Sequence, residues 1–379
     1  MAKRIVILGG GVGGTMVANR LVKSLEKAVY SGEVEIVLIG NTDKHVYQPG
    51  FLFVAFNEGF MDQFEREQKY LLHPKIKFVT EEAEKIDVTN KKVISRNQAV
   101  EYDFLVIATG SYPDLNSVPG LAEGAHNFYT REGAEKLRDE MLKFRGGTIL
   151  MTIDVPHKCP VAPLEFIFMA DELYRDLGVR EQVKLKYTYP IGRTHSLEPV
   201  ADWAVKEFAK RGIEYEVFFN LERVDPENKI AYNMDESEHP YDLLISIPAH
   251  RGAKVIQDSG LGDEDGFIPT NRYSLKMEGQ ENVYVLGDAT NLPVSKAGST
   301  THYQADVVVK NLISELKGLP ASHRYNGKAF CFIESGLNEA TYITFNYKQP
   351  PKPMPSSEML HWFKLAYNEL YWLSARGIL

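Results

Sequence analysis

The apolar run Lys3 to Leu8 ends on Gly9-Gly10-Gly11-Val12-Gly13-Gly14, and a helical pattern, Thr15 to Leu25, and a second apolar run, Val34 to Ile39, follow. Strand, glycine turn, helix and strand make a βαβ unit, which restricts the chain to a parallel, doubly wound sheet. Gly9, Gly11 and Gly14 keep the G-x-G-x-x-G spacing. Glycine there permits a tight turn, close approach of a pyrophosphate to backbone, and packing of helix on strand, while the helix N-terminus supplies free N–H groups. A glycine turn alone also arises for steric reasons; between a strand and a helix it reads as a dinucleotide site. The acidic residue that usually holds the adenosine ribose is missing: after the second strand stands Gly40-Asn41-Thr42-Asp43, leaving Asn41 or Asp43 for the role.

Further strands are expected at Phe104–Ala108, Thr148–Ile153, Lys184–Tyr189, Tyr215–Phe219, Leu243–Ile247 and Val283–Leu286. A second βαβ-like unit opens at Thr148 and continues through a helix from Pro163 to Leu177, so the fold class is α/β with two Rossmann-like domains. The Pro-rich segment Gln349 to Pro355 separates this body from a terminal helical stretch, Ser357 to Ala375. With 379 residues, 44% hydrophobic and 25% charged, the chain is long enough for two or three cores. A net charge of -8 argues against a nucleic-acid partner. The N-terminal run carries basic residues but is broken by glycines and lacks a small-residue cleavage site, so it reads as a strand and not a signal peptide. No run approaches the ~18 apolar residues of a transmembrane helix. Two cysteines, Cys159 and Cys331, are too few for a disulfide framework, and no metal site is expected.

Two other segments narrow the nucleotide. Tyr102-Asp103-Phe104-Leu105-Val106-Ile107-Ala108-Thr109-Gly110 and Asn282-Val283-Tyr284-Val285-Leu286-Gly287-Asp288-Ala289 resemble the flavoprotein reductase superfamily. The resemblance implies FAD, with Thr109, Gly110, Gly287 and Asp288 at the cofactor, Asp288 accepting from the ribityl chain, and a helix from near Thr300 aiming its positive end at the flavin.

In nicotinamide-dependent relatives the second unit has its own glycine turn. Here Asp154-Val155-Pro156-His157-Lys158-Cys159-Pro160-Val161-Ala162-Pro163 follows the strand, with prolines and bulky residues where backbone would have to approach a pyrophosphate. Together with Cys331 in Ala329-Phe330-Cys331-Phe332, Ser295-Lys296-Ala297-Gly298 and the aromatic C-terminus, this pattern resembles the sulfide:quinone oxidoreductase family over nearly the whole chain. Two buried, inert thiols are the alternative on composition alone.

The resemblance implies a redox pair of Cys159 and Cys331 at one face of the flavin. Sulfide would open their bridge, leaving a persulfide on one and a thiolate on the other. Glu165 and His195 match acid–base positions, although Glu165 also suits the first turn of its helix and His195 also reads as a surface loop residue. The helix N-terminus is expected to lower the Cys159 pKa. Lys296 is expected beside the flavin carbonyl edge, and Phe330, Lys364 and Tyr367 at a quinone. Tyr129 occupies the position of a third family cysteine that tethers FAD in some members, so FAD is expected to bind noncovalently.

The domain reading is 1–115 with 250–320 for FAD, 116–249 for the second Rossmann-like unit, and 321–379 for a region of quinone and membrane interaction. Residues 359, 363, 366, 367, 370 and 373 form a helical apolar stripe, which fits an amphipathic, monotopic anchor on the cell membrane and equally fits a packed helix or a homo-oligomer contact. The aromatic segment Tyr47 to Phe60 reads as a flavin shield or as core. Three alternatives stand beside the main reading: the flavin subunit of a sulfide dehydrogenase that passes electrons to a cytochrome, a type II NADH:quinone oxidoreductase, and a flavin-binding protein without catalysis.

Overall fold

The computed structural model describes residues 2–378. The chain opens with β1 (Lys3–Leu8), α1 (Val12–Ser24), β2 (Val34–Gly40), β3 (Lys77–Thr80) and β4 (Phe104–Ile107). It continues through β5 (Gly147–Ile153), α2 (Ala162–Asp176), β6 (Val183–Tyr189), β7 (Glu214–Val217) and β8 (Leu243–Ile247). The last part contributes β9 (Val283–Val285), α3 (Gly298–Leu316), β10 (Ala329–Glu334), β11 (Ala340–Phe345) and α4 (Glu358–Ala375).

Two parallel sheets organise these elements. The first has the order β9-β4-β1-β2-β3 and the second β7-β6-β5-β8. Their strands are buried on both faces: Ile5, Val6 and Ile7 of β1, and Ile149, Leu150 and Met151 of β5, have no exposed surface. That is the behaviour of parallel strands covered by helices, each such side chain contributing about 1.5–3 kcal/mol of burial. An antiparallel ribbon of Ser111–Pro113 with His250–Gly252 links the two crossings between the sheets. The elements expected from sequence all form, with ends shifted by a few residues; helix α1, for instance, begins at Val12 and α3 at Gly298.

The glycine turn is fixed by close approach. Gly9 has φ +111°, and a Cβ on Gly14 would lie 1.8 Å from the Gly9 carbonyl oxygen. A Cβ on Gly11, by contrast, would meet nothing within 4 Å, so the helix N-terminus faces open space. The segment expected as shield or core resolves as core at Tyr47, Phe51, Leu52 and Phe53, while Phe60 is exposed.

Helix α4 is built the wrong way round for a packed helix. It starts where the Ser357 hydroxyl accepts from Leu360 N–H. Its buried face is Lys364, Asn368, Tyr371 and Ala375, mostly polar. Its outer face carries Met359 (61% exposed), Trp362 (65%), Phe363, Tyr367, Leu370 and Leu373. The inner face is held by hydrogen bonds instead of apolar packing alone. Tyr47 Oη donates to Asn368 Oδ1 at 2.7 Å, Asn19 Nδ2 to the Ala375 carbonyl at 2.8 Å, and Tyr371 Oη to His45 Nε2 at 2.5 Å. The His45 Nδ1–H in turn faces the Gly10 carbonyl at 3.0 Å, so the terminal helix is tied to the glycine turn. No helix among the described residues is long and apolar enough to cross a membrane.

Gly14→Ala, which would drive a methyl into the Gly9 carbonyl, is expected to cost about 1–3 kcal/mol and to lower nucleotide content; thermal unfolding and the cofactor absorbance of the purified variant check both.

Candidate active site

The carboxyl ends of β1, β2, β4 and β9 bring Gly9, Asn41, Thr109, Gly110, Gly287 and Asp288 to one end of the first sheet, the place where ligands sit in open α/β folds. Asn41 is exposed and follows β2 directly. The Thr109 hydroxyl and the Gln304 Nε2 are buried without a hydrogen-bond partner among the described residues. Buried polar atoms of this kind are costly unless a ligand meets them. With the open space at Gly11, the donor set fits a dinucleotide pyrophosphate at the start of α1 and a polar ring near α3.

The strand β5 ends at Ile153, and the loop that follows crosses to the first domain. Cys159 N–H donates to the Lys296 carbonyl at 2.8 Å, and Tyr129 Oη donates to the Lys158 carbonyl at 3.0 Å. Between these two anchors Cys159 adopts φ +50°. A non-glycine residue held there costs about 1–3 kcal/mol, a form of strain that concentrates at functional sites. Pro163 then sits in the first turn of α2, where its missing N–H is harmless, and Glu165 follows on the same turn.

Cys331 comes from the opposite side. In β10, alternation turns Cys331, with Ala329 and Ile333, inward and leaves Phe330 and Phe332 on the other face of the ribbon. Cys331 belongs to an apolar cluster against which the partly buried Cys159 packs, both as free thiols, and the charge of Cys331 bears on Cys159. The sequence-distant pair is thus brought together. The expected lowering of the Cys159 pKa is overturned: burial pushes this thiol well up, and Glu165 and Cys331 add to the rise, while Lys364 opposes it. Cys331 is pushed up to about 12 by burial, against the hydroxyls of Ser295 and Ser299. Desolvation outweighs the helix end, with Cys331 buried and Cys159 partly buried against the apolar cluster.

Lys364 does not stand free beside Tyr367. Its buried ammonium pairs with Glu165 Oε1 and lies 3.5 Å from Glu334 Oε1. Glu334 N–H donates to Glu165 Oε1 at 2.9 Å, and His361 Nδ1 lies 3.1 Å from Glu334 Oε2. Burial raises the pKa of Glu165 despite Lys364, and the two carboxylates raise that of Lys364 despite its burial. Glu334 and His361 were not legible in the sequence, because nothing local marks two residues as facing a lysine from another element.

His195 is not a surface residue. It is fully buried, accepts from Leu197 N–H at 3.0 Å, and turns Nε2 toward the Pro160 backbone without completing a hydrogen bond. Burial, then His157, pulls its pKa down to about 3, so it stays neutral at physiological pH instead of titrating near it. His157 and His250, equally dry, fall to about 4 and about 2 through burial. Lys296, also half-sequestered, donates to the carbonyls of Asp288 (2.9 Å) and Thr290 (2.6 Å), and burial lowers its pKa to about 8.

On the outer side, Phe330 and Tyr367 face each other at 6.4 Å between ring centroids, with Phe332 4.8 Å from Phe330 and Tyr342 5.5 Å from it. Phe332 and Tyr342 extend the aromatic group beyond the residues read from sequence.

This arrangement agrees with the comparisons to known proteins. Residues 3–150 match the pyridine nucleotide-disulphide oxidoreductase family. The mitochondrial sulfide:quinone oxidoreductase of Dictyostelium discoideum is 26% identical over 356 residues, covering 91% of this chain and 78% of that protein. That of Schizosaccharomyces pombe is also 26% identical, over 92% of this chain and 82% of its own length. The chain is similar to these sulfide:quinone oxidoreductases over most of its length. The X-ray structure of the enzyme from Aquifex aeolicus shares the fold with a TM-score of 0.87 at 21% identity, over 99% of this chain and 92% of that one. A type II NADH:quinone oxidoreductase of Staphylococcus haemolyticus is 24% identical over 84% of each chain. The loop at Cys159 carries no glycine between Asp154 and Pro163, where a dinucleotide turn would need one.

The three dry histidines carry a pH signature. An unfolded chain protonates them below about pH 6.5, whereas the folded protein keeps them neutral down to much lower pH. The unfolded state therefore binds more protons on acidification, and stability falls as pH drops below that value, by up to about 1.4 kcal/mol per pH unit for each histidine. Urea unfolding between pH 7.5 and 5 measures the slope, which is expected to flatten in His195→Gln.

Proposed function

We propose that this chain is a flavoenzyme that oxidises sulfide at Cys159 and Cys331 and reduces a quinone, giving polysulfide or elemental sulfur. The observation that carries the reading is the convergence of its two cysteines on one apolar cluster, with Cys331 buried in it and Cys159 packed against it, near a Glu–Lys pair and at the place where the second dinucleotide turn has been replaced.

Hydrosulfide attacks the bridge between the cysteines; one S–S bond breaks, another forms, and a persulfide and a thiolate remain. Rejoining them around the added sulfur releases two electrons and one proton. FAD held in the crevice would supply the two-electron acceptor that links this oxidation to the quinone. Lys364 keeps its positive charge close to both sulfurs and favours their thiolate forms, offsetting part of the cost of burial. Glu165, whose raised pKa suits it to exchange protons, takes up the released proton. His195, kept neutral, serves as a fixed polar contact of the loop. Gly9, Gly11 and Gly14 would hold the pyrophosphate, Asn41 the ribose, and Thr109, Gly110, Gly287, Asp288 and Lys296 the flavin end.

Phe330 and Tyr367 supply aromatic faces for a quinone ring, with Lys364 acting on it from behind through its field and not by direct contact. Because Cys331 and Phe330 point to opposite faces of β10, sulfur and quinone are kept apart and only electrons pass between them. The outward stripe of α4, with Trp362 and Phe363, supports a monotopic seat on the membrane at which the quinone enters. FAD is bound noncovalently, since Tyr129 offers no thiol for a tether. NADH is disfavoured as donor by the loop of Cys159, and a cytochrome as acceptor by the aromatic outer site.

The test gives purified, flavin-loaded protein sulfide or NADH with a short-chain quinone. Sulfide is expected to bleach the flavin and quinone to restore it, and both Cys159→Ser and Cys331→Ser are expected to abolish the bleaching. Bleaching by NADH, or by sulfide in both variants, overturns the reading.

A further inference from the structure

Lys158 is the residue before the reactive cysteine, and it is only 7% exposed. Its ammonium crosses from the second domain to the first, donating to Gln48 Oε1 at 2.9 Å and to the Ser111 carbonyl at 3.4 Å. Ser111 Oγ donates to Asp288 Oδ2 at 3.3 Å, which places the lysine at the floor of the crevice between Gly110 and Asp288. Both acceptors of the ammonium are neutral. Among the described residues no carboxylate comes within ion-pair distance of it, in contrast to the buried Lys364. Lys296, on the other side of Asp288, also donates only to backbone carbonyls.

A buried cation without a counter-ion in contact is expensive, and folded proteins keep one where an anion arrives or develops. Burial lowers the pKa of Lys158, with Asp288 and Cys159 opposing the fall. The carbonyl of the same residue is held by Tyr129 Oη at 3.0 Å and faces His157 Nδ1 at 3.1 Å, so the peptide that carries the ammonium is clamped as firmly as the cysteine next to it. The clamp makes Lys158 a fixed charge and not a mobile surface lysine.

We infer that Lys158 is a cofactor-facing residue whose ammonium stabilises the negative charge that two electrons and one proton leave on the flavin, and so sets the potential at which the cysteine pair can reduce it. This rests on the reading of the crevice as a flavin site, but not on the identity of the electron donor. Tyr129 is the positioning residue that holds this charge in place.

The measurement is the midpoint potential of bound FAD, by photoreduction against indicator dyes, in the wild type, Lys158→Gln, Lys158→Met and Lys158→Arg. The neutral variants are expected to disfavour the reduced form by about tenfold or more, a fall of about 30 mV for a two-electron couple, while Lys158→Arg stays near the wild type. If the neutral variants lose FAD, retention by Lys158→Arg still supports the charge. Wild-type potentials in Lys158→Gln or Lys158→Met, or loss of FAD in all three variants, overturn the inference, the latter by showing a structural tie. Since light supplies the electrons, failure of sulfide to bleach the wild type would sink the functional reading alone.

Discussion

The site depends on the short loop that leaves the second sheet and is tied down on the first. Two hydrogen bonds, Cys159 N–H to Lys296 and Tyr129 Oη to Lys158, fix a left-handed backbone conformation that no glycine eases. Without that tether, relaxing the conformation would carry Cys159 away from Cys331, and the thiols would be two unrelated core residues. The loop therefore converts a nucleotide-binding topology into a thiol site with the fold itself unchanged.

Around the loop, desolvation governs the electrostatics. It raises both thiols and Glu165, and it strips three histidines of their protons. Lys364 is the exception, kept charged by two carboxylates, and its ammonium is the local source of positive charge for the sulfurs, opposed by Glu165. The group is completed only when α4 docks, since Lys364 and His361 both belong to it. Docking in turn relies on polar contacts to Asn19, His45 and Tyr47, which leaves the apolar side of the helix outward. Helix, thiol electrostatics and glycine turn form one mechanical unit.

Much of this was legible from local pattern. The glycine spacing, the alternation of strands and helices, and the replacement of the second turn are properties of contiguous residues, so the α/β fold and the Cys159 loop could be read directly. The inward turn of Lys364 could not, because the periodicity of α4 marks its apolar side and is silent on which side faces the protein. His195 lies in a loop as expected but not at the surface, for a related reason: burial is decided by what packs over a loop, and Gly192-Arg193-Thr194-His195-Ser196 gives no sign of it. The Cys159 pKa went the wrong way because a helix terminus is visible in sequence and dryness is not. Lys158, Glu334 and His361 escaped altogether, since their partners lie on other elements, distant in sequence.

The central claim is that Cys159 and Cys331 act on each other as a redox pair. Mass spectrometry of protein digested under nonreducing conditions after exposure to sulfide and quinone tests it most directly. A cross-linked peptide joining Cys159 to Cys331, with one or more added sulfur atoms and reversible by thiols, is the predicted result. Recovery of both cysteines as separately alkylated peptides after turnover would contradict it.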